Sequence, residues 1–388
     1  MRIFLCCQQA LRHHAVPAFG FWAPMLRNAL VEAGHEVIEA PNCDWAEGLL
    51  PSDSPDHALW RERTWTRAIE YIKRAHKAQP IHLFLAYLFP HQIEPSAIDV
   101  IRKKGIPCVN FFCDNVREFR TPPKSFGIFD LNWVPELKAI DMYSKAGMPV
   151  FHAPMPCWIP PALRRSPENE TYPPTFIGTR DRTREELFQT AIQAGLRLEL
   201  RGRGWDETSQ EGVSRPPDRA KSLITLLQRQ MHFVERNGLM AWFRRTLDGN
   251  AAPSHDFSSY TAPSPSADEY FHIIRECSVC IGVNRFPSWR YPNKTPPHYS
   301  RLRDLEAPMA GACYITEWTE GIEDLYEVGS EIEVFRTAEE LAVKTAALVR
   351  DDARRRCMRQ ACQQRALSEH SATISINKLL GRLSLFPS

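Results

Sequence analysis

The stretch 303–311, Arg-Asp-Leu-Glu-Ala-Pro-Met-Ala-Gly, combines a carboxylate with the pattern of a short helix. Glu306 lies near the start of this predicted helix, Gly311 ends it, and the apolar run 313–315 predicts a buried strand. In an open α/β sheet this order places the helix start at the carboxyl edge of the strands, where ligands bind. Since a carboxylate repels phosphate but accepts hydrogen bonds from a diol, we predict that Glu306 binds a ribose. The alternative is an ordinary helix-to-strand turn with a surface glutamate.

Glycine turns follow two earlier predicted strands, and each turn is flanked by basic side chains. The glycines are Gly178 and Gly202, and the basic residues beside them are Arg180, Arg182 and Arg203. Glycine permits a close approach of the backbone to a ligand, and guanidinium groups bind phosphate oxygens bidentately. The turns therefore predict a diphosphate site, and the alternative is that the arginines are solvated loop charges.

The pattern Arg-x-x-Glu-Ala-x-x-Ala-Gly at 303–311, followed by a strand and by Gly-Ile-Glu-Asp-Leu at 321–325, resembles the donor-binding half of GT-B glycosyltransferases. It is most similar to the family 4-like group that includes the spore-maturation-protein glycosyltransferases. In that group the glutamate that matches Glu306 holds the ribose of a nucleotide sugar. The usual signature has another glutamate eight positions earlier, where this chain has His298. Pro308 is a second departure, because proline removes a helix N–H unless it lies in the first turn.

The resemblance implies a metal-independent glycosyltransferase that uses a UDP- or GDP-sugar and no cofactor. The residues predicted to bind this donor are Gly178, Arg180, Arg182, Gly202, Arg203, Asn284, His298, Arg303 and Glu306. Arg303 or Arg180 would stabilise the leaving-group charge, and no convincing Asp-x-Asp motif for a divalent metal is present. The acceptor could be a glycan, a lipid-linked molecule, a protein or a small molecule.

Asp114 is the candidate for catalysis in the first half of the chain. It follows the predicted strand 107–112, at the carboxyl edge of the sheet. We predict that Asp114 acts as a general base or stabilises an oxocarbenium-like transition state. Members of the glycosyltransferase family that this chain resembles carry a polar His or Asp at the matching strand end. The alternative is that Asp114 caps the turn 115–118.

Composition limits the class of protein. The 388 residues suffice for two domains with real cores, since 43% are hydrophobic, and a formal net charge of +2 gives no nucleic-acid signal. The eleven cysteines lie mostly in apolar runs, which is typical of reduced thiols in a cytoplasmic enzyme. Cys277 and Cys280 form a C-x-x-C without a second pair, so core packing is favoured over a zinc site. No apolar stretch approaches the roughly 18 residues of a membrane-spanning helix.

The order of predicted elements favours an α/β protein with two doubly wound, Rossmann-like domains that face a cleft. Strands and helices alternate from residue 2 onward, beginning with strand 2–6, helix 24–33 and strand 35–40. Residues 1–155 would form the acceptor domain, completed by a C-terminal helix at about 374–388. Residues 156–373 would form the nucleotide-sugar-binding domain.

An insertion at about 206–265 interrupts the second predicted domain. Its segment 239–247 mixes Met, Trp and Phe with two arginines, a composition suited to an apolar–polar boundary. Three explanations compete: packing onto the protein's own body, binding of the acceptor or a partner, and peripheral contact with a membrane. We predict a cytoplasmic location from the cysteine usage and the lack of a long apolar stretch. Peripheral contact with a membrane through 239–247 is one alternative.

Two other functions remain compatible with the same sequence features. One is a phosphorylase or nucleotide-sugar epimerase of GT-B-like fold. The other is a catalytically silent protein that binds a nucleotide sugar or docks a partner, in which His298 and Pro308 reflect lost chemistry. Release of free nucleotide from a nucleotide sugar would separate the enzymes from the silent protein.

Overall fold

The computed structural model describes residues 1–12, 19–49, 55–165, 167, 169–205, 255–286 and 296–384. Most of the predicted insertion, including the segment 239–247, lies outside the described residues. The chain divides into two compact units. Unit 1 comprises Met1–Trp158 and Glu369–Ser388, and unit 2 comprises Ile159–Ser368.

Unit 1 is built on a six-stranded parallel sheet with the strand order β2-β1-β3-β4-β5-β6. The strands are β1 (Arg2–Cys7), β2 (Glu36–Ile38), β3 (Leu83–Tyr87), β4 (Cys108–Phe111), β5 (Leu131–Val134) and β6 (Val150–His152). The central strands β3, β4 and β5 are buried along their whole length, as expected for a parallel sheet covered on both faces.

In the described part of unit 1, five α-helices connect these strands. They are α1 (Phe19–Glu32), α2 (Pro55–Ala78), α3 (Pro95–Arg102), α4 (Asn115–Glu118) and α5 (Leu137–Lys145). The first helix begins earlier than the predicted 24–33. Proline is common in the first turn of a helix, which favoured a start at Pro24, but Pro24 lies inside α1.

Unit 2 has a five-stranded parallel sheet with the order β11-β10-β9-β7-β8. The strands are β7 (Thr175–Ile177), β8 (Glu199–Arg201), β9 (Cys280–Gly282), β10 (Tyr314–Glu317) and β11 (Glu333–Phe335). The described helices are α6 (Arg182–Gln193), α7 (Ala267–Glu276), α8 (Arg303–Met309), α9 (Ile322–Leu325), α10 (Ala338–Arg350) and α11 (Asp352–Glu369). Both sheets are parallel and alternate with helices, which confirms the predicted pair of Rossmann-like folds.

The start of α7 and the end of α8 follow from local sequence. Ser266 and Glu269 form a capping box, because each side chain bonds to the backbone N–H of the other residue. Gly311 follows α8 with a φ of +74°, a left-handed conformation that glycine adopts without strain. These signals fix the ends of two helices that approach the candidate site.

The last helix, α12 (Ala372–Ser384), belongs to unit 1. The Ala372 N–H donates to the Cys157 carbonyl (2.8 Å), and the Thr373 hydroxyl donates to the Ala29 carbonyl in α1 (3.4 Å). The chain therefore returns to its first unit after completing the second. Among the described residues, no helix is both long enough and apolar enough to cross a membrane.

Candidate functional site

Four arginine side chains meet at the carboxyl edge of the unit 2 sheet, and we call them the cationic edge. They are Arg184 in the first turn of α6, Arg285 after β9, and Arg301 and Arg303 at the start of α8. The Arg285 guanidinium donates to the Thr183 carbonyl (3.0 Å), and the Arg301 guanidinium donates to the Arg285 carbonyl (2.8 Å). Backbone contacts thus hold two of these cations next to the start of α6.

Three members of the cationic edge keep an Nε donor that makes no hydrogen bond among the described residues, although Arg184 Nε lies 3.8 Å from Asp181 and Arg303 Nε lies 3.9 Å from Glu306. The Nε atoms of Arg184, Arg301 and Arg303 are buried and make no hydrogen bond within the described part of the chain. Burial, and next the charge of Arg301, lowers the pKa of Arg184 to about 10, so Arg184 is still a cation at neutral pH. Buried unpaired donors are costly, and three positive groups in proximity favour an anion.

Arg180 and Arg182, the arginines predicted to bind a diphosphate, are not members of this edge. Arg180 donates to Glu185 (2.6 Å) and lies over the Trp205 ring, 5.5 Å from its centroid. Arg182 is half exposed and pairs along α6 with Glu186 (3.1 Å). The structure instead brings Arg184, which the sequence analysis did not select, together with the predicted Arg303.

The two predicted glycine turns lie against each other. Gly202 has a φ of +113°, and a Cβ atom there would lie 2.7 Å from the Gly178 carbonyl oxygen. The Gly178 N–H donates to the Arg201 carbonyl (2.8 Å), and the Trp205 indole donates to the Gly178 carbonyl (2.8 Å). Gly202 is therefore needed for backbone packing between the turns. Arg203, also predicted to bind the donor, has an exposed side chain.

The start of α6 is already capped by its own sequence. The Asp181 carboxylate accepts hydrogen bonds from the backbone N–H groups of Thr183 (2.9 Å) and Arg184 (3.3 Å). An N-cap aspartate satisfies donors that a helix otherwise offers to an anion. The guanidinium groups are therefore the groups at this edge that remain able to bind an anion.

Glu306 lies beside the cationic edge and is only 8% exposed, so the alternative of a surface glutamate is wrong. Its Oε2 atom accepts a hydrogen bond from the Tyr270 hydroxyl (2.8 Å) and lies 3.9 Å from the Arg303 Nε atom. Burial raises the pKa of Glu306, while Arg303 and the Tyr270 hydrogen bond oppose this rise. A carboxylate held in this way can still accept hydrogen bonds from ligand hydroxyls.

Asp304 organises the start of α8 and was not identified from sequence. It is fully buried and accepts hydrogen bonds from the Tyr314 hydroxyl (2.8 Å), the Thr316 hydroxyl (2.9 Å) and the Ser300 hydroxyl (3.0 Å). These bonds tie α8 to β10 and to the segment before the helix. Gly282 leaves the necessary room, because a Cβ atom there would lie 2.1 Å from the Tyr314 hydroxyl oxygen.

Asn284, which the sequence predicts as a donor-binding residue, belongs to the same buried network. It is 1% exposed, and its Nδ2 atom donates to Asp304 (3.1 Å), to the Thr316 hydroxyl (3.1 Å) and to the Glu317 carbonyl (2.9 Å). Its amide nitrogen is therefore committed to protein partners. Asn284 thus links the end of β9 to α8 and β10 beneath the site, and its amide nitrogen bonds to protein rather than to a ligand.

Pro308 lies inside α8 rather than in its first turn. In a regular helix the N–H of position 308 would bond to the Asp304 carbonyl, and proline has no N–H. The Tyr326 hydroxyl, which follows α9, donates to that carbonyl instead (2.9 Å). A side chain from a later segment thus restores the bond that Pro308 removes.

His298 and Glu317 form an ion-pair cluster with Arg285. Glu317 is 2% exposed, and it accepts hydrogen bonds from the Arg285 Nε atom (3.0 Å) and from the His298 Nε2 atom (3.1 Å). Burial alone would raise the pKa of Glu317, but the hydrogen bonds from His298 and Arg285 lower it to about 2. Glu317 is therefore ionised at neutral pH.

Asp114 lies at the carboxyl end of β4 in unit 1. It occupies the N-cap position of α4, but its side chain makes no capping hydrogen bond. The carboxylate instead forms an ion pair with Arg117 on the same short helix. The capping alternative thus lacks the bond that would define it.

A buried polar network lies next to Asp114, and we call it the Glu136 network. The Asn115 Nδ2 atom donates to Glu136 (2.8 Å), the Tyr143 hydroxyl donates to the Asn115 Oδ1 atom (2.7 Å), and the Val116 N–H also reaches Glu136 (3.4 Å). Burial raises the pKa of Glu136 to about 8, and the charge of Asp114 adds to the rise. This carboxyl is therefore largely protonated at neutral pH.

Among the residues that the structure describes, the cysteines and the other possible ligands are not grouped as a metal site. Cys277 and Cys280 are buried free thiols, which agrees with core packing, and Cys357 is the one exposed cysteine. Within the described ranges, no group of three or more His, Cys, Asp or Glu side chains is arranged to hold a metal ion.

Comparison with protein families gives one match to this chain. Residues 182–381, just over half of the chain, match the model of a family described as glycosyl transferase-like. The matched region includes the cationic edge, Glu306, His298 and Glu317. A comparison with curated proteins finds no match.

Several solved structures share the architecture of the whole chain. Sucrose-phosphate synthase from Thermosynechococcus elongatus is 12% identical, with a TM-score of 0.55 over 99% of this chain and 98% of its own. Anabaena HepE, in complex with UDP and glucose, is 11% identical, with a TM-score of 0.51 over 100% of both chains. A glycosyltransferase from Rickettsia africae is 9% identical, with a TM-score of 0.54 over 98% of this chain and 97% of its own. At these identities the likeness shows the fold, which is GT-B.

Proposed function

We infer the function of this chain from the family to which it belongs, the glycosyl transferase-like family, and from the cationic edge of unit 2. The chain is a glycosyltransferase of the GT-B fold. We propose that its donor is a UDP- or GDP-sugar bound by unit 2 and that unit 1 binds the acceptor. We also propose, from the pattern at 303–311, that it falls in the spore-maturation-protein group.

The observation that carries this proposal is a set of three guanidinium Nε atoms that make no hydrogen bond among the described residues and lie next to a buried carboxylate. Arg184, Arg301 and Arg303 offer donors and positive charge to a diphosphate, and Glu306 lies 3.9 Å from Arg303. A nucleotide carries a diphosphate directly attached to a ribose diol. The site thus offers cations for the diphosphate and, a short distance away, a carboxylate for the ribose diol.

The arginines would also lower the barrier to transfer. In the reaction, the bond between the sugar C1 and the diphosphate oxygen breaks, and that oxygen leaves with the bonding electrons. Fixed cations at the leaving group stabilise the charge that develops there, which is the role that a divalent metal has in other enzymes. We therefore propose a metal-independent reaction, in which Arg303 and Arg184 neutralise the departing diphosphate.

Asp114 is the proposed catalytic residue of unit 1. The acceptor hydroxyl forms the new bond to C1, and Asp114 takes the proton that the hydroxyl loses. Support comes from its position at the carboxyl edge of β4 and from Arg117, which holds the carboxylate. The acceptor that we propose carries a hydroxyl, as a glycan, a lipid-linked molecule, a protein or a small molecule can.

The test uses Glu306→Gln and nucleotides with and without the ribose 2′-hydroxyl. Calorimetry should show that the wild type binds UDP or GDP and that Glu306→Gln weakens binding by about 1–3 kcal/mol, as expected when a hydrogen bond to a charged group is lost. The affinity of the 2′-deoxynucleotide should fall less on this substitution than that of the ribonucleotide, because it lacks one of the two hydroxyls that Glu306 would accept from.

Two results would contradict the proposal. If folded Glu306→Gln bound the nucleotide with unchanged affinity, Glu306 would not bind the ribose. If the wild type bound no UDP- or GDP-sugar, the proposed donor would be wrong. Transfer should also persist in saturating EDTA. Loss of transfer in EDTA, with recovery on addition of Mg²⁺ or Mn²⁺, would show that a metal takes part.

A further inference from the structure

We propose that Glu136 is a positioning residue for catalysis in unit 1, because it caps α4 in place of Asp114 and so leaves the Asp114 carboxylate available to the acceptor. The inference rests on the proposed function, in which Asp114 takes the proton of the acceptor hydroxyl. It adds Glu136, which acts through Asn115, to the residues on which transfer depends.

Two carboxyl residues occupy helix N-cap positions in unit 1, and neither caps its own helix. Asp114 is the N-cap residue of α4 and Glu136 is that of α5, but neither side chain makes a capping hydrogen bond to the helix that follows it. The Glu136 carboxyl instead accepts from the N–H of Val116, the second residue of α4 (3.4 Å). An N-cap side chain ordinarily binds this N–H or the next one. Glu136 thus satisfies, from the end of β5, a donor that Asp114 leaves open.

Asn115 provides the shorter link between Glu136 and the start of α4. It is the first residue of that helix and is fully buried, and its Nδ2 atom donates to Glu136 (2.8 Å) and to the Phe112 carbonyl just after β4 (2.6 Å). Its Oδ1 atom accepts from the Tyr143 hydroxyl in α5 (2.7 Å). A shift of the backbone next to Asp114 would therefore break buried hydrogen bonds, which is costly.

The Asp114 carboxylate is the accessible member of this group. Its side chain is 16% exposed and pairs with Arg117, whereas Glu136 and Asn115 are buried. Burial raises the pKa of Glu136 to about 8, so Glu136 is mostly neutral at pH 7 and adds little negative charge beside Asp114. A general base works when it is held within hydrogen-bond reach of the proton that it takes. The Glu136 network supplies this fixed position.

The test introduces Glu136→Ala into the wild type and into Asp114→Asn. Turnover is the release of UDP or GDP from UDP- and GDP-sugars with water as the acceptor, because water also loses a proton when it bonds to C1. Glu136→Ala should lower kcat about tenfold, the result of a displaced catalytic group, and leave the KM of the donor within about twofold. In the Asp114→Asn background it should lower kcat less than about twofold, because the residue through which it acts is absent.

Three further variants separate positioning from stability. Tyr143→Phe removes one bond to Asn115 and should lower kcat about threefold, and it tests the same link if Glu136→Ala does not fold. Glu136→Gln keeps an acceptor for the Asn115 amide and should lose less than about twofold. The matched control is Asp130→Ala, since the Asp130 carboxylate accepts from the Cys108 N–H (2.8 Å) at the opposite end of β4. Its kcat should equal that of the wild type.

Equal losses of kcat from Glu136→Ala in the two backgrounds would overturn the inference, because the two residues would then act independently. Full turnover in both Glu136→Ala and Tyr143→Phe would also overturn it, as would an effect confined to the KM of the donor. Full turnover in Asp114→Asn would instead contradict the proposed general base, and with it the inference, so the two failures are distinguishable. A circular dichroism spectrum like that of the wild type checks that each variant is folded.

Discussion

The two units place a buried glutamate at the same kind of position, and their surroundings drive the two pKa values in opposite directions. Glu136 follows β5 in unit 1 and accepts hydrogen bonds from an amide side chain and a backbone N–H, and its pKa rises to about 8. Glu317 ends β10 in unit 2 and accepts from Arg285 and His298, and its pKa falls to about 2. Burial acts on both, so the partners decide the outcome.

The contrast shows that two sheets of the same fold can have carboxyl edges with different electrostatics. Unit 1 keeps its buried carboxyl neutral, which costs little in a dry environment. Unit 2 keeps its carboxylate charged because cations surround it, and further cations remain for a ligand. Under the proposed function, the guanidinium groups of the unit 2 edge bind the diphosphate, and the edge that carries Asp114 binds the acceptor hydroxyl.

The largest expected effect comes from removing each buried carboxylate in turn. Glu317→Gln should lower the free energy of unfolding by about 3 kcal/mol at pH 7, because it leaves the partly buried Arg285 without its counter-charge. Glu136→Gln should instead raise it by up to about 3 kcal/mol, since the wild-type carboxyl is ionised in the unfolded chain and must take up a proton to fold, whereas glutamine need not. Urea unfolding followed by tryptophan fluorescence measures both. Similar losses of unfolding free energy in Glu317→Gln and Glu136→Gln would contradict the opposite pKa shifts assigned to the two glutamates.

The second prediction separates chemistry in unit 1 from donor binding in unit 2. Asp114→Asn should reduce turnover by about 100-fold, the usual contribution of a general base, with little change in donor affinity. Initial-rate kinetics and calorimetry on the same preparation give the two quantities. Asp141→Asn, at an exposed position of α5, is the matched control and should retain full activity. Full activity of Asp114→Asn would show that Asp114 is not the general base.

The third prediction tests which arginine on α6 meets the diphosphate. Arg184→Met should weaken nucleotide binding by about thirtyfold, or ~2 kcal/mol, as expected for losing a charge-assisted hydrogen bond. The fold should tolerate methionine, because Arg184 lies over the Phe176 ring in a buried position. Arg182→Met removes an exposed charge from the same helix and should not change the affinity. The reverse result would restore the prediction made from the sequence.

The smallest effect is a difference in how stability depends on pH. The folded-state pKa of Glu136, about 8, lies above its ordinary value of 4.5, so its contribution is complete below pH 4.5 and is lost as the pH rises to 8. Between pH 7 and 8 the wild type should therefore lose about 1 kcal/mol more than Glu136→Gln.

Glu317 has the opposite sign. Its folded-state pKa is about 2, so the stability that it contributes is present above pH 4.5 and is lost as the pH falls toward 2. The difference in unfolding free energy between wild type and Glu317→Gln should shrink on acidification. Urea titrations at a series of pH values measure both trends, and parallel curves for wild type and either variant would contradict the assigned pKa shift.

Much of the fold could be predicted from sequence because the relevant signals are local. Apolar runs marked the strands, and the Ser266–Glu269 capping box and Gly311 fixed the ends of helices. The place of Glu306 beside a predicted buried strand was enough to select it. The roles of the two units and the insertion at 206–265 remain predictions.

The residues missed by sequence reasoning depend on contacts distant in the chain. Arg184 becomes a member of the cationic edge only when α6 approaches Arg301 and Arg303. One local signal could have identified it, because Arg184 shares the buried face of α6 with Leu187, Phe188 and Ala191. The importance of Asp304 and Glu136 follows from polar partners that no spacing rule connects to them.

The bond between Tyr326 and the Asp304 carbonyl has a consequence for the order of folding. Because Pro308 removes the regular helix bond, α8 cannot satisfy its own backbone before the segment after β10 has docked. The helix that carries Glu306 therefore reaches its final form together with α9, as one cooperative piece rather than as an independent turn. Slow hydrogen exchange should extend over both segments with a common opening energy, and opening of this piece would disrupt the proposed ribose site while the central strands stay intact.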